Sequence, residues 1–191
     1  MQHRTPQHPI LPLILNRRSL RAMTDEAITE EEFNCLLEAA RWAPSAYNEQ
    51  PWRIIYAARN QPEFSTFVQL MVPFNQAWAS KAAVLGVFIS HTKFEQNGKA
   101  SFSHAYDTGA AWENFALEGT SRGFVVHGMS GFDYEKAKQI LLVPEDYEVL
   151  AMFAVGKPAP TETLPVELQK KEILSDRKPI SAFAMPGHFR K

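Results

Sequence analysis

The sequence predicts a three-layer α+β domain built on a small sheet, and three observations lead there. Strand-like runs at residues 52–57 (WRIIYA), 82–90 (AAVLGVFIS) and 147–155 alternate with stretches of helical periodicity. The helix expected to start at Thr29 carries apolar residues on two faces, as a helix buried between two layers does. The 191 residues suffice for one sizeable core, and no repeat or low-complexity block divides them. Residues 1–191 are therefore read as a single domain.

Taken in order, a first helix is expected over residues 10–15, where Leu11, Ile14 and Leu15 are apolar. His3, Arg4 and His8 precede it, and the basic segment Arg17-Arg18-Ser19-Leu20-Arg21 follows. Thr29 and Glu32 have capping-box spacing, and Pro44 stops the helix they begin at about Ala43. Phe33, Leu36, Leu37 and Ala40 form one stripe on it; Cys35, Ala39 and Trp42 form a second on nearly the opposite side. In a chain this small, the layer over the second stripe can belong to another subunit. A helix is predicted over residues 61–71, with Pro62 in its first turn, and a polar loop with Asn97-Gly98 over residues 93–103. Asp107 is expected to cap a long helix through Arg122, with Gly123 at its C′ position. A short strand at 124–127, a turn at 128–131 and a helix from Asp133 to about Leu142 come next. After Gly156 the prolines at 158, 160, 165, 179 and 186 mark residues 157–191 as an arm lying on the body or on a partner.

Composition narrows the function classes. Lys and Arg number 20 against 21 Asp and Glu, so there is no general pull toward nucleic acid or membrane surfaces. Anion binding would need a local basic cluster. The single cysteine, Cys35, allows no intrachain disulfide and favours a reducing setting, so the expected location is the cytoplasm. No apolar run approaches membrane-spanning length. The chain has no GxGxxG, no GxxxxGK[ST], no GxSxG elbow, no HExxH and no paired Cys/His with zinc spacing.

Four segments carry chemistry. Arg17, Arg18, Ser19 and Arg21 place three guanidinium groups and a hydroxyl within five residues, enough to surround a phosphate. Their plain structural reading is a solvated basic patch. Residues 44–52 (PSAYNEQPW) join a buried helix to a strand, and Asn48 and Gln50 each offer a donor and an acceptor. The alternative is a polar turn. Gly128-Met129-Ser130-Gly131-Phe132-Asp133 can bring backbone close to a flat ligand, or be a strand-to-helix turn capped by Asp133. Arg177-Lys178-Pro179 can return to a phosphate or remain a solvated tail. Cys35 reads as core, His104 as exposed or satisfied, and His127 as either site-lining or a strand-end residue.

In this order, Arg17-Arg18-Ser19-x-Arg21, Ala39-Ala40-Arg41-Trp42-Ala43-Pro44-Ser45, Asn48-x-Gln50-Pro51-Trp52, Asp107-Thr108-Gly109-Ala110-Ala111, the 123–133 segment and Gly156 followed by Arg177-Lys178-Pro179 resemble the nitroreductase family. The likeness spans most of the chain and is closest to compact members with PSxxNEQPWR. It departs at Met23, where an aromatic residue is common, and residues 58–81 and 93–103 are not distinctive.

The resemblance implies a small, mostly antiparallel central sheet flanked by helices, and an intertwined homodimer with FMN at the subunit interface. It implies that Arg17, Arg18, Ser19 and Arg21 hold the ribityl phosphate, joined by Arg177. Ser45, Ala46 and Asn48 would reach the same flavin from the other subunit, with Gln50 supporting their loop. Asn75 matches a family asparagine near the pyrimidine edge, and Ser130 and Gly131 match positions facing the isoalloxazine near N5. The implied activity is reduction of a small oxidised acceptor, nitroaromatic or quinone, by NADH or NADPH in ping-pong hydride transfer through flavin N5. No catalytic side chain and no metal are expected. The alternatives are other flavin chemistry (dehalogenation, enone reduction or azoline oxidation) and flavin binding without turnover.

Overall fold

Four segments rich in β-branched and aromatic residues form the sheet: β1 (Trp52–Ala58), β2 (Val84–His91), β3 (Val125–Met129) and β4 (Tyr147–Gly156). In this computed structural model, which describes residues 4–190, they lie in the order β1-β2-β4-β3 with every neighbouring pair antiparallel. His3 and the last residue of the expected arm, Lys191, lie outside the described residues. The central position of β2 explains its unbroken apolar run, because Val84 through Ser90 are all buried. Within it, a Cβ on Gly86 would stand 2.5 Å from the Phe153 ring and 2.6 Å from the Ile55 carbonyl oxygen, so the strand spacing there requires glycine.

Each face of the sheet carries its own core. On one, α2 (Glu30–Arg41) and α5 (His104–Ser121) pack Phe33 and Phe115 against Phe88 and Phe153 of the central strands. Phe115 lies 5.2 Å from Phe153 and 5.6 Å from Phe88, centroid to centroid, in tilted and edge-on contacts. On the other, α3 (Phe64–Leu70), α4 (Pro73–Ala79) and α6 (Tyr134–Ile140) bury Phe67, Leu70, Trp78 and Ala137 over Leu85, Val87 and Met152. The capping box of Thr29 and Glu32 is present in full. Asp133 caps α6 by accepting from the Lys136 amide. Past α5, the Gly123 amide donates to the Thr120 carbonyl and the Phe124 amide to that of Gly119, with Gly123 at φ 79°.

Several expectations change. The first helix, α1 (Pro12–Asn16), starts two residues later than predicted, with Pro12 in the first turn, where a missing N–H costs nothing. The helix placed at 61–71 is only α3, and a second short helix, α4, follows it, started by Pro73. Asp107 is not the cap of α5: the helix begins at His104, and Asp107 sits one turn inside it. The 124–127 strand extends to Met129. On α2, Phe33, Leu36 and Ala40 are buried, whereas Cys35 and Ala39 are half-buried and Trp42 is 72% exposed. Among the described residues the second stripe is therefore only partly covered. The segment after β4 runs back along the chain's start: Ala159 donates to the Ala22 carbonyl and Thr24 to that of Lys157. Leu164 and Leu168 then join the core, the latter from α7 (Val166–Gln169), while residues 175–184 lie exposed.

Candidate functional site

The chain leaves α1 at Arg17 and runs to the buried pair Ala22 and Met23, so residues 17–21 cross the surface between two anchored points. Arg17, Arg18, Ser19 and Arg21 line one wall of a cleft of about 240 Å³. The far wall comes from residues 171–177, and Arg4 reaches in from the N-terminal segment. Glu172 joins the walls. Its carboxylate accepts from the Arg21 amide at 3.0 Å and from Arg21 Nη1 at 3.1 Å, and its carbonyl accepts from Arg18 Nη2. Arg17 faces Glu113 of α5 at 3.5 Å. The lining holds Arg4, Arg17, Arg18, Arg21, Lys171 and Arg177 against the single carboxylate of Glu172. Arg21 Nε is buried and makes no hydrogen bond. Excess cations with a buried donor left over suit a phosphate monoester, whose oxygens accept charge-assisted bonds, so the residues present fit the phosphate of FMN.

The loop after α2 is built from its own backbone. Tyr47, Asn48 and Gln50 adopt φ of 54°, 57° and 51°, left-handed conformations that cost non-glycine residues energy. Local bonds hold them there. Ser45 Oγ accepts from the Gln50 amide at 3.0 Å, the Ser45 carbonyl from the Asn48 amide, and Gln50 Nε2 donates to the Asn48 carbonyl. Long-range bonds fasten the loop to the body: the buried Asp107 carboxylate accepts from the Ala46 amide at 3.1 Å and from Ser103 Oγ at 3.0 Å, the Glu49 carboxylate accepts from the Glu95 amide, and the Pro51 carbonyl accepts from the His91 amide at 2.9 Å. The Asn48 side chain is exposed.

A third cluster lies on the α4 side of the sheet. Asn75 is buried; its Nδ2 donates to the Gly131 carbonyl at 3.0 Å and its Oδ1 accepts from Trp78 Nε1 at 3.3 Å. A Cβ on Gly131 would meet Asn75 Nδ2 at 2.6 Å, so the close approach this glycine permits is to Asn75. The Gly128 Cβ position likewise meets the Trp112 ring at 2.8 Å. The Trp78 and His127 rings meet at 4.5 Å in a tilted contact, and the Arg21 guanidinium lies 5.9 Å from the Trp78 ring. His127 Nδ1 pairs with the Leu20 carbonyl at 2.9 Å. Burial pushes the His127 pKa below its ordinary value, with Arg21 adding to the shift and the Leu20 bond opposing it. A neutral ring donating to Leu20 follows. His127 thus ties the arginine segment to β3.

The structure brings Arg17, Arg18, Ser19, Arg21 and Arg177 to one cleft, and Asn75 to Gly131, with Ser130 exposed beside them. Ser45, Ala46, Asn48 and Gln50 line no part of that cleft. Cys35 is half-buried, and His104 faces Glu148 at 3.6 Å. Arg4, Glu172 and Trp78 were missed by the sequence reading: a lone arginine near the start, a glutamate in a mixed-charge stretch and a helix tryptophan carry no local signal.

Residues 14–157 match the model of the nitroreductase family, and the chain belongs to that family. A crystal structure described as an oxidoreductase containing FMN is similar with a TM-score of 0.94 and 35% identity, over 98% of this chain and 96% of that one. An Archaeoglobus fulgidus protein named as an NADH dehydrogenase/NAD(P)H nitroreductase is 29% identical over 78% of this chain and 84% of its own length. An NADH dehydrogenase of Thermus thermophilus is 27% identical over 80% and 90%, respectively.

Proposed function

We propose that this protein is an FMN-dependent oxidoreductase that uses NADH or NADPH to reduce a small oxidised acceptor of the nitroaromatic or quinone type. The observation that carries the reading is the cationic cleft, found in a member of a family whose similar solved structure contains FMN. FMN would supply the hydride chemistry, taking hydride from the nicotinamide and passing it to the acceptor in alternate half-reactions. Arg17, Arg18, Ser19, Arg21 and Arg177 would hold its phosphate. Asn75, Ser130 and Gly131 would lie along its ring system, and Ser45, Ala46, Asn48 and Gln50 would reach it from a second subunit.

A homodimer is part of the proposal. The open stripe of α2 with Trp42 at 72% exposure, Leu11 at 68% and Phe183 at 68% leave apolar surface that a second copy would cover. Residues 1–191 would form one domain, with 157–191 as an arm. No helix among the described residues is long and apolar enough to cross a membrane. The test is an absorption spectrum of the purified protein before and after anaerobic addition of NADH or NADPH. Flavin bands that bleach with either reductant support the proposal. A colourless protein that takes up no added FMN overturns it.

A further inference from the structure

We infer that Arg4 is an additional residue of the phosphate site, a latch whose single guanidinium joins the N-terminal segment, the end of α1 and the arm, so that a phosphate monoester in the cleft and the seating of residues 175–184 stabilise each other. The inference rests on the proposed FMN reading for the identity of the monoester. Its evidence is the geometry around Arg4.

Arg4 Nη1 donates to the Leu15 carbonyl at 2.8 Å and to the Arg17 carbonyl at 2.9 Å, satisfying acceptors that the end of α1 leaves open. On its other edge, Nε donates to the Ser175 carbonyl at 3.3 Å, and Nη2 approaches Ser175 Oγ at 3.5 Å. Arg177 Nη1 reaches the same Ser175 hydroxyl at 3.1 Å. Three residues along from Arg4, Gln7 Oε1 accepts from the Ile180 amide at 2.8 Å, a second tie between the same two segments. The planar five-donor guanidinium is suited to such bridging; an ammonium is not.

Within one subunit, and among the described residues, little else holds the arm beyond Ser175. Ile180 is 41% exposed and Phe183 68%, so apolar packing there is thin and a few polar bonds carry the contact. Those bonds also gather like charge. Besides burial, the nearby guanidinium groups of Arg177, Arg18 and Arg17 disfavour the charged form of Arg4. The carboxylates beside these guanidinium groups already have partners: Glu172 pairs with Arg21, Glu113 with Arg17, and Asp176 accepts from the Arg177 amide. A phosphate dianion relieves the repulsion that the closed latch creates. By reciprocity, a closed latch strengthens the hold on the dianion.

The experiment is hydrogen exchange of the backbone amides of residues 180–184 in the whole protein, apo and with FMN, inorganic phosphate or riboflavin, which lacks the phosphate. FMN and phosphate are expected to slow exchange and riboflavin to leave it unchanged. In Arg4→Gln the slowing is lost and FMN binds about tenfold more weakly. Ser175→Ala, which removes the shared hydroxyl and keeps every cation, moves both readouts the same way by a smaller factor. Should Arg4→Gln fail to fold, Ser175→Ala and the wild-type comparison decide. Exchange that ignores FMN in a wild type that visibly binds it overturns the latch and leaves the FMN reading standing. Wild-type affinity and slowing in Arg4→Gln overturn it equally. A wild type that takes up no FMN but responds to phosphate overturns the FMN reading and upholds the latch; no response to either overturns both.

Discussion

The cleft at Arg17–Arg21 and the loop at residues 44–52 are the two most distinctive stretches of the chain, and they are built in opposite ways. The cleft is assembled from two segments near the chain's start and a third about 150 residues further on, joined at Glu172 and Arg4, and it concentrates charge of one sign. The loop takes its shape within a few residues, holds three left-handed side-chain-bearing positions, and is fastened to the body by a few bonds, among them that from Ala46 to the buried Asp107. A site of the first kind is completed by what binds it. A site of the second kind is shaped before anything arrives, and its cost is borne by the fold.

The largest effect expected from that difference is on ligand binding at the cleft with little change in stability. Arg17→Ala should weaken FMN binding about ten- to a hundredfold, the loss of a charge-assisted contact. Its melting temperature should stay close to wild type, since the Glu113 pair is partly exposed and solvent-screened. Titration with FMN beside thermal unfolding checks both; unchanged affinity would remove Arg17 from the phosphate set. The converse holds at the loop. Asp107→Ala should cost about 2 kcal/mol by stranding the Ala46 amide, lowering the melting temperature by roughly 6 °C. A stability equal to wild type would mean that the loop's other bonds hold it without Asp107.

Gln50→Gly should raise stability by up to about 1 kcal/mol, because glycine adopts φ near 51° without strain. Denaturant midpoints measure it, and a destabilised variant would show that the Gln50 side-chain bond to Asn48 outweighs the strain. The smallest effect concerns His127. Its folded pKa lies below the unfolded value, so the folded state binds fewer protons than the unfolded chain. The stability it contributes is full above the ordinary histidine pKa and is lost as pH falls through the lowered one. His127→Asn should flatten the fall in melting temperature on the acid side of about pH 6.5. An unaltered slope would assign that fall to other groups.

How much was legible follows the same division. β2 and the second half of β4 were readable because burial on both faces leaves a continuous apolar run, β1 because of its β-branched and aromatic residues, and the ends of α2, α5 and α6 were marked by Thr29 with Glu32, Gly123 and Asp133. Asp107 misled because a carboxylate near a helix start reads as a cap, whereas here it turns to another loop's amide. α4 escaped because seven residues carry too little periodicity, although Pro73 marked its start. In the third cluster, Gly131 was read as bringing backbone close to a flat ligand or as part of a turn; the neighbour its missing side chain admits is Asn75, which nothing local names.

By itself the sequence determined the order of the strands and of every helix but the short α4 and α7, the two apolar stripes of α2 and the concentration of arginine at 17–21, because periodicity, capping and charge density are properties of neighbouring residues. Only the tertiary structure decided that Arg177 and Arg4 converge on that segment, that Glu172 joins the two walls and that His127 ties Leu20 to β3. Apart from Arg4, which lies 13 residues before Arg17, those contacts span more than a hundred residues of chain, and no local pattern encodes which distant group will neutralise a charge or satisfy a buried donor.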